Sequence, residues 1–153
     1  MINYDRIQKQ LEALCQDCPY LVANLSNFSA LLWQELPHIN WVGFSELRQE
    51  QLILGPFQGK PACIQIPVGR GVCGTAVRDN KMQLVADVHQ FPGHIACDSA
   101  SRSEIVIPLY RDGSCWGVLD IDSPEPNRFT QEDAKGLKEI SAVINGMLER
   151  SRN

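Results

Sequence analysis

The sequence predicts an α+β fold in which a mostly antiparallel sheet of about six short strands carries the N- and C-terminal helices on one side. Apolar residues have helical spacing near both ends of the chain, at Ile7 and Leu11 and again at Ile140 and Ile144. Between these ends lie short apolar or alternating runs separated by turn residues. Because no repeat or linker interrupts the sequence, we expect one domain over residues 1–153.

Three of the predicted helices are long enough to bury an apolar stripe. Residues 4–18 form the first, which Pro19 stops, and residues 21–36 form the second, which ends at Pro37. The last begins after Thr130, a preferred N-cap residue that is followed by acids in the first turn. These start and stop signals define helices at both ends of the chain.

The central part of the chain is predicted to be a series of short strands. They comprise residues 40–47, 51–54, 63–67, 83–88, 105–110 and 116–122. The first two form a hairpin, and the last two form another around Asp112-Gly113, a preferred two-residue turn. Gly55 and Pro56 are placed in a connector, and a short helix that ends near Asn80 follows the third strand.

The charge balance and the N-terminus exclude several classes of protein. The chain has 14 basic and 18 acidic residues and no basic run, so nothing in it attracts a nucleic acid. No signal sequence or run of membrane-spanning length is present, and we expect a cytoplasmic protein. In that reducing compartment the six cysteines are not a disulfide scaffold.

A glycine-rich string at residues 69–74 matches the pattern G-x-G-x-x-G of dinucleotide-binding sites. The helix that follows ends within about two turns, and no repeating βαβ series surrounds it, which argues against a dinucleotide. We interpret the string as a tight strand-to-helix turn. Its amides, including those of Gly69 and Gly71, are placed to hold an anion such as a carboxylate.

Three of the six cysteines have simple structural interpretations. Cys15 and Cys18 have the spacing of half a zinc site or of a redox motif, but no second pair exists and the three histidines lack ligand spacing. We therefore expect no metal, and we place both thiols at the end of the first helix with one partly buried. Cys115 is interpreted as a small core residue within the last hairpin.

The remaining cysteines, Cys63, Cys73 and Cys97, lie at the edges of predicted elements, where a thiol can move and react. Cys73 is at a helix N-terminus, whose dipole favours a thiolate. Cys97 lies in a polar, turn-rich loop just before a strand. Position alone leaves open which one is a nucleophile, and also whether these cysteines have any function.

Two carboxylates alternate with apolar residues, so that Asp120 and Asp122 project from the same face of a strand. Neighbouring like charges raise each other's pKa, which suits a bound amine. With a two-residue turn at residues 112–113, Glu104 would face Ile121 and point away from both aspartates. With a three-residue, bulged turn it would face Asp120 and join them.

The sequence resembles the free methionine-R-sulfoxide reductases, which are single-domain proteins of the GAF fold. The resemblance covers nearly the whole chain. It is carried by NWVGF (40–44), LGPFQGK (54–60), IPVGRGVCGTA (66–76), GHIACD (93–98), SEIV (103–106) and GVLDIDS (117–123). Strings of this length in this order are more specific than a general match to a GAF domain.

The resemblance implies reduction of free methionine-R-sulfoxide without a cofactor. Cys97 would attack the sulfoxide sulfur, and Cys63 would condense with the resulting sulfenic acid to form a disulfide that thioredoxin or a similar dithiol reduces. Cys73 would be a helper or a second resolving thiol. The family thus assigns the nucleophile to Cys97, although the helix dipole favours Cys73.

The resemblance also implies how the substrate is held. Glu104, in its protonated form, would hydrogen-bond the sulfoxide oxygen, while Asp120 and Asp122 would hold the ammonium group and Trp41 would pack against the S-methyl group. A peptide-bound residue lacks that ammonium, which explains a preference for the free amino acid. One departure concerns the methyl pocket, because Ser45 stands where the family usually has tyrosine.

Other functions remain compatible with the sequence. A GAF domain also suits a non-enzymatic sensor that binds a small molecule, although no effector segment is visible in the chain. A thiol peroxidase would share the sulfenic acid and disulfide steps but has no need of three acids around the site. Pairing through the terminal helices, as GAF domains often do, predicts a homodimer.

Overall fold

The computed structural model describes residues 1–94 and 99–152. Within this part of the chain, one antiparallel sheet contains six strands in the order β3-β2-β1-β6-β5-β4. The strands are β1 (Trp41–Arg48), β2 (Gln51–Gly59), β3 (Gln65–Pro67), β4 (Gln83–Val85), β5 (Ser103–Arg111) and β6 (Ser114–Ser123). The α-helices are α1 (Tyr4–Cys15), α2 (Leu21–Glu35), α3 (Gly71–Asp79) and α4 (Gln131–Arg150). None of the helices in these described ranges is both long and apolar enough to cross a membrane.

The two faces of the sheet have separate apolar clusters. On one face, residues such as Ile105, Ile121 and Phe44 pack with α1, α2 and α4. On the other face, the shorter helix α3 packs Val72 among residues such as Val106. The predicted α+β fold with the terminal helices on one side is therefore confirmed, and α3 covers part of the face that they leave open.

The last helix is capped as its sequence predicts. Thr130 Oγ1 accepts a hydrogen bond from the Asp133 amide at 3.2 Å, and Asp133 Oδ2 accepts one from the Thr130 amide at 2.9 Å. Tyr4 of α1 donates its hydroxyl to Asp133 Oδ1 at 2.6 Å. The cap therefore also joins the first helix to the last. The predicted apolar stripe is fully buried at Leu137, Ile140, Ile144 and Leu148.

Strand β2 is longer than predicted, because it continues through the segment interpreted as a connector to Gly59. The pairing shifts by one residue between Gly43, which faces Phe57, and Ser45, which faces Leu54. This bulge accommodates Pro56, since proline has no N–H to donate to the ladder. Three other elements are shorter than predicted: α1 ends at Cys15, and β3 and β4 have three residues each.

The hairpin of β5 and β6 has a register that neither sequence alternative gave. Asp112 and Gly113 both have positive φ, 52° and 78°, and form a two-residue turn in which Arg111 faces Ser114. Tyr110 then faces Cys115, but Leu109 faces Gly117, so that Trp116 is an extra residue of β6. Glu104 consequently faces Asp122. The predicted partners, Ile121 and Asp120, are both wrong because the bulge lies within the strand and not in the turn.

Candidate active site

The predicted carboxylates meet on the sheet face that α3 partly covers. Glu104 of β5 faces Asp122 of β6, and Asp120 lies two residues along the same strand. Cys73, in the first turn of α3, donates its thiol to Glu104 Oε2 across 4.0 Å. Glu104 and Cys73 are only 7% and 6% exposed. The fold thus collects three carboxyl groups and one thiol, of which Glu104 and Cys73 are buried while Asp120 and Asp122 are half-buried.

This crowding favours the protonated form of the buried groups. Burial, followed by the charges of Asp120 and Asp122, holds the pKa of Glu104 well above its usual range. Burial also raises the pKa of Asp120, although hydrogen bonding with Glu104, Asp122 and Cys73 opposes the shift. The environment of Glu104 therefore favours a protonated carboxyl group over a carboxylate.

The pKa of the Cys73 thiol is shifted in the opposite direction from the one expected at a helix N-terminus. Burial raises the pKa of its thiol, and the nearby charges of Asp120, Glu104 and Asp122 raise it further. These effects oppose the pull of the helix dipole, and they favour the thiol over the thiolate that the helix position predicted. At neutral pH this residue is a thiol that donates a hydrogen bond.

Two small adjoining cavities open beside the acids, and both are lined by Ile66, Cys73, Asp120 and Asp122. The polar cavity, of about 50 Å³, is also bordered by Arg70, Gly71, Val72, His94, Ser101 and Glu104. The apolar cavity, of about 40 Å³, is also bordered by Trp41, Ser45, Leu54, Pro61, Ala62 and Cys63. A larger groove of about 760 Å³ lies between β5 and α4 and includes none of the predicted site residues.

Trp41 forms a fixed wall of the apolar cavity. Its ring stacks on Phe57 with centroids 5.2 Å apart, and its Nε1 donates to the Lys60 carbonyl at 3.0 Å. Space for the indole comes from two glycines. A Cβ at Gly43 would lie 2.7 Å from the indole and 2.3 Å from the Phe57 Cβ, and one at Gly59 would lie 2.6 Å from the indole. Larger residues at either position would displace the tryptophan.

The glycine-rich turn has the predicted tight geometry, with φ of 89° at Gly69 and 61° at Gly71. The amide of Gly69 donates to the Gly74 carbonyl at 2.8 Å, and that of Gly71 donates to the Gly93 carbonyl at 3.2 Å. Both amides are therefore engaged within the protein, and the carboxylate-binding role predicted for them is corrected.

The next two amides of α3 are better placed for an anion. Val72 and Cys73 belong to the first helical turn, where N–H groups lack intrahelical acceptors, and no acceptor for either amide is found in the described part of the chain. Both residues line the polar cavity, which the exposed residue Arg70 also borders. The two amides and the Arg70 guanidinium are therefore the groups of the polar cavity that favour an anion.

The cysteines differ in their bonding. Cys63 is half-buried beside the apolar cavity and is disulfide-bonded. Free thiols are found at Cys15, Cys18, Cys73 and Cys115. Cys97, the predicted nucleophile, lies outside the described residues.

The structural interpretations of the other thiols are partly confirmed. Cys15 is buried at the end of α1, and Cys18 is half-buried just beyond it, as expected. Cys115 is only half-buried, so its interpretation as a core residue is wrong. The bulge at Trp116 places it near the end of the hairpin and away from the two apolar clusters.

Three residues of the polar cavity were not recognised from the sequence: Arg70, His94 and Ser101. Ser101 is buried and accepts a hydrogen bond from Asn40 Nδ2 at 3.1 Å. Burial lowers the pKa of His94, with the charge of Asp120 opposing the shift. The available signal was proximity, since His94 and Ser101 flank the cysteine loop and Arg70 lies within the glycine-rich string.

Within the described ranges, the donor group suited to a metal ion comprises Cys73, Glu104 and Asp120, whose ligand atoms lie within 4.8 Å of one another. The pKa of each group is raised by burial. A cation would have to displace the protons that these groups hold. The arrangement is therefore better suited to hydrogen bonding with a polar ligand that brings its own positive charge.

The chain is similar to known proteins over most of its length. The GAF domain family model matches residues 9–148. The free methionine-R-sulfoxide reductase of Escherichia coli is 52% identical over 145 residues, which cover 95% of this chain and 88% of that protein.

Two solved structures have the same fold and similar sequences. That of fRMsr of Staphylococcus aureus in complex with substrate is 53% identical, with a TM-score of 0.92 and 97% of each chain covered. That of free methionine-R-sulfoxide reductase from Neisseria meningitidis in complex with its substrate is 44% identical, with a TM-score of 0.94 and coverage of 97% and 90%. The chain therefore belongs to the GAF domain family and, within it, to the free methionine-R-sulfoxide reductases.

Proposed function

We propose that this protein reduces free methionine-R-sulfoxide to methionine through Cys97. The observation that carries the proposal is the buried carboxyl group of Glu104, whose pKa is raised beside Asp120 and Asp122 where two cavities meet. A sulfoxide oxygen needs a proton to leave, and a free amino acid brings an ammonium group to satisfy the aspartates. The substrate complexes of two similar reductases support the same ligand.

The two cavities suggest how the substrate lies. Its ammonium group binds Asp120 and Asp122, which border both cavities. Its carboxylate extends into the polar cavity, towards the amides of Val72 and Cys73. The S-methyl group then enters the apolar cavity against Trp41. A methionine sulfoxide within a peptide has neither free terminal group, so this arrangement selects the free amino acid.

The chemistry is a two-electron reduction of the sulfoxide sulfur. The Cys97 thiolate attacks that sulfur while Glu104 donates its proton to the sulfoxide oxygen. The oxygen passes to the Cys97 sulfur, so methionine leaves and Cys97 becomes a sulfenic acid. The elevated pKa of Glu104 favours the protonated form that this step requires.

The enzyme is regenerated through a disulfide. The Cys63 thiolate attacks the sulfenic sulfur of Cys97, a sulfur–sulfur bond forms, and the oxygen leaves as water. Cys63 is disulfide-bonded, whereas Cys15, Cys18, Cys73 and Cys115 have free thiols, and this difference supports a resolving role for Cys63. A dithiol such as thioredoxin then returns two electrons and two protons. Cys73 acts as a helper that donates a hydrogen bond or as a second resolving thiol.

We also propose that the protein works in the cytoplasm as a homodimer that pairs through its terminal helices. The cytoplasm contains the dithiol reductants that the cycle requires. Val22 and Trp33, 62% and 41% exposed, are eleven residues apart on α2 and share one stripe of that helix. Sedimentation of the native protein and of Trp33→Lys tests the pairing, because a monomer in both cases would contradict it.

The reaction is tested with separated R and S epimers of free methionine sulfoxide and thioredoxin recycling. The native protein should reduce the R epimer alone, and Cys97→Ser should abolish turnover. The matched control is Cys18→Ser, which removes a half-buried thiol outside both cavities and should retain full activity. Failure of the native protein on both epimers would refute the proposal, and full activity of Cys97→Ser would refute the nucleophile.

A further inference from the structure

Ser45 is a small residue on the wall of the apolar cavity. It lies on β1 two residues beyond Gly43 and four beyond Trp41, so all three share one face of the strand. Its neighbours across the sheet are Leu54 and Val118. Ser45 is 9% exposed and borders the apolar cavity. Its side chain therefore forms part of the cavity wall.

The apolar cavity is the part of the site next to the sulfur chemistry. Cys63 borders it, and the resolving thiol has to lie near the sulfur that reacts. The polar cavity borders the free amides and Glu104 but not Cys63. A substrate oriented by its ammonium and carboxylate groups therefore directs its S-substituent into the apolar cavity.

The side chains that line the apolar cavity differ in size and in how firmly they are held. The Trp41 indole is fixed by its stacking on Phe57 and by its hydrogen bond to Lys60. The lining also includes Ser45 and Ala62, which carry one atom and no atom beyond Cβ. A space of about 10–15 Å³ holds one water molecule. The roughly 40 Å³ present here exceeds that threshold about threefold.

We propose that Ser45 sets the upper size of the S-substituent and that this protein also reduces free amino-acid sulfoxides with S-alkyl groups larger than methyl, S-ethyl first among them. The proposal rests on the proposed function, because it places the same sulfoxide reduction at the same site. The step is unchanged: the sulfur gains two electrons, its oxygen passes to Cys97, and the thioether leaves. The additional methylene group occupies the space beside Ser45 and Leu54.

The test compares kcat/KM for ethionine-R-sulfoxide with that for methionine-R-sulfoxide, using thioredoxin recycling. A methylene that does not fit a hydrophobic pocket costs about 10–200-fold in kcat/KM. The native protein should therefore reduce the S-ethyl substrate within about tenfold of the S-methyl one. Ser45→Val and Ser45→Tyr fill the cavity in two steps, and each should lower the ethyl-to-methyl ratio, Ser45→Tyr by at least about tenfold.

The matched control is Ser45→Ala, which removes the hydroxyl and leaves the space open, so its ratio should equal that of the native protein. If Ser45→Tyr fails to fold, as judged by thermal unfolding, the ethyl-to-methyl ratio of Ser45→Val is used instead. Native discrimination against the S-ethyl substrate by more than about 100-fold would overturn the inference, as would an unchanged ratio in Ser45→Val. If the native protein reduces neither the S-methyl nor the S-ethyl substrate, the proposed function itself is overturned.

Discussion

Replacing Glu104 by glutamine tests two effects of the buried carboxyl group: its donation of a proton in the reaction and its destabilisation of the folded protein. Glutamine has the shape of a protonated glutamate but no proton to give to a leaving oxygen. Because general acid catalysis contributes about 10²–10⁴-fold, we expect Glu104→Gln to lower kcat/KM for methionine-R-sulfoxide by at least about 100-fold. The same change should make the folded protein more stable at neutral and alkaline pH.

The size of the stability effect follows from the register of β5 and β6. Glu104 faces Asp122, and directly opposed side chains have Cβ atoms about 5 Å apart. At that separation and an effective dielectric constant of about 20, two ionised carboxylates repel by about 3 kcal/mol. Glu104 avoids this repulsion by holding a proton. We therefore expect Glu104→Gln to raise the free energy of unfolding by about 1–3 kcal/mol at pH 8.

The gain in free energy of unfolding from Glu104→Gln should increase with pH. The pKa of Glu104 is raised above 4.5 in the folded protein, so that state holds a proton which the unfolded chain releases. The native free energy of unfolding therefore falls as pH rises from the unfolded pKa towards the folded one. Glutamine removes this dependence, and the difference between variant and native protein should vanish near pH 4 and grow towards pH 8.

Thermal unfolding over this pH range measures the effect, since each kcal/mol shifts Tm by about 2–4 °C in a domain of this size. The matched control is Glu46→Gln, which neutralises a carboxylate on β1 that pairs at the surface with Arg48. It should change neither activity nor the pH dependence of Tm beyond about 1 °C. Equal Tm values for Glu104→Gln and native protein at both pH 5 and pH 8 would refute the reasoning.

Two further changes test the substrate site. Gly43→Ala forces a Cβ to within 2.3 Å of the Phe57 Cβ, so we expect a loss of about 1–3 kcal/mol in denaturant unfolding and a higher KM; wild-type values for both would contradict the fixed position of Trp41. Asp120→Asn should lower kcat/KM at least about tenfold for methionine-R-sulfoxide while leaving peroxide-driven disulfide formation intact. Retention of full kcat/KM would exclude an ammonium-binding role for Asp120.

The helices and the choice of acids were readable from local patterns. Thr130 and the apolar stripe that follows it report a helix regardless of what packs against it, because capping and periodicity are properties of neighbouring residues. Likewise, alternation alone places Asp120 and Asp122 on one face of a strand. Motif strings added the family, which periodicity and composition do not reveal.

Features that depend on distant contacts were not readable in this way. The Asp112-Gly113 turn is compatible with any register produced by a later bulge, and the extra residue at Trp116 decides that Glu104 faces Asp122. Sequence position placed Cys73 at a helix N-terminus, where a thiolate is favoured. Only tertiary packing buries that thiol among carboxyl groups and reverses the direction of its pKa shift.

The sequence by itself determined the fold class, the terminal helices, the paired aspartates and the family, since each rests on spacing or motifs along the chain. The tertiary structure decided which groups meet: Glu104 with Asp122, Cys73 with the acids, and Trp41 over Gly43. It also decided that the amides of Gly69 and Gly71 are engaged within the protein. The physical reason is that register, burial and hydrogen-bond partners are set by residues far apart in sequence, whose approach no local pattern encodes.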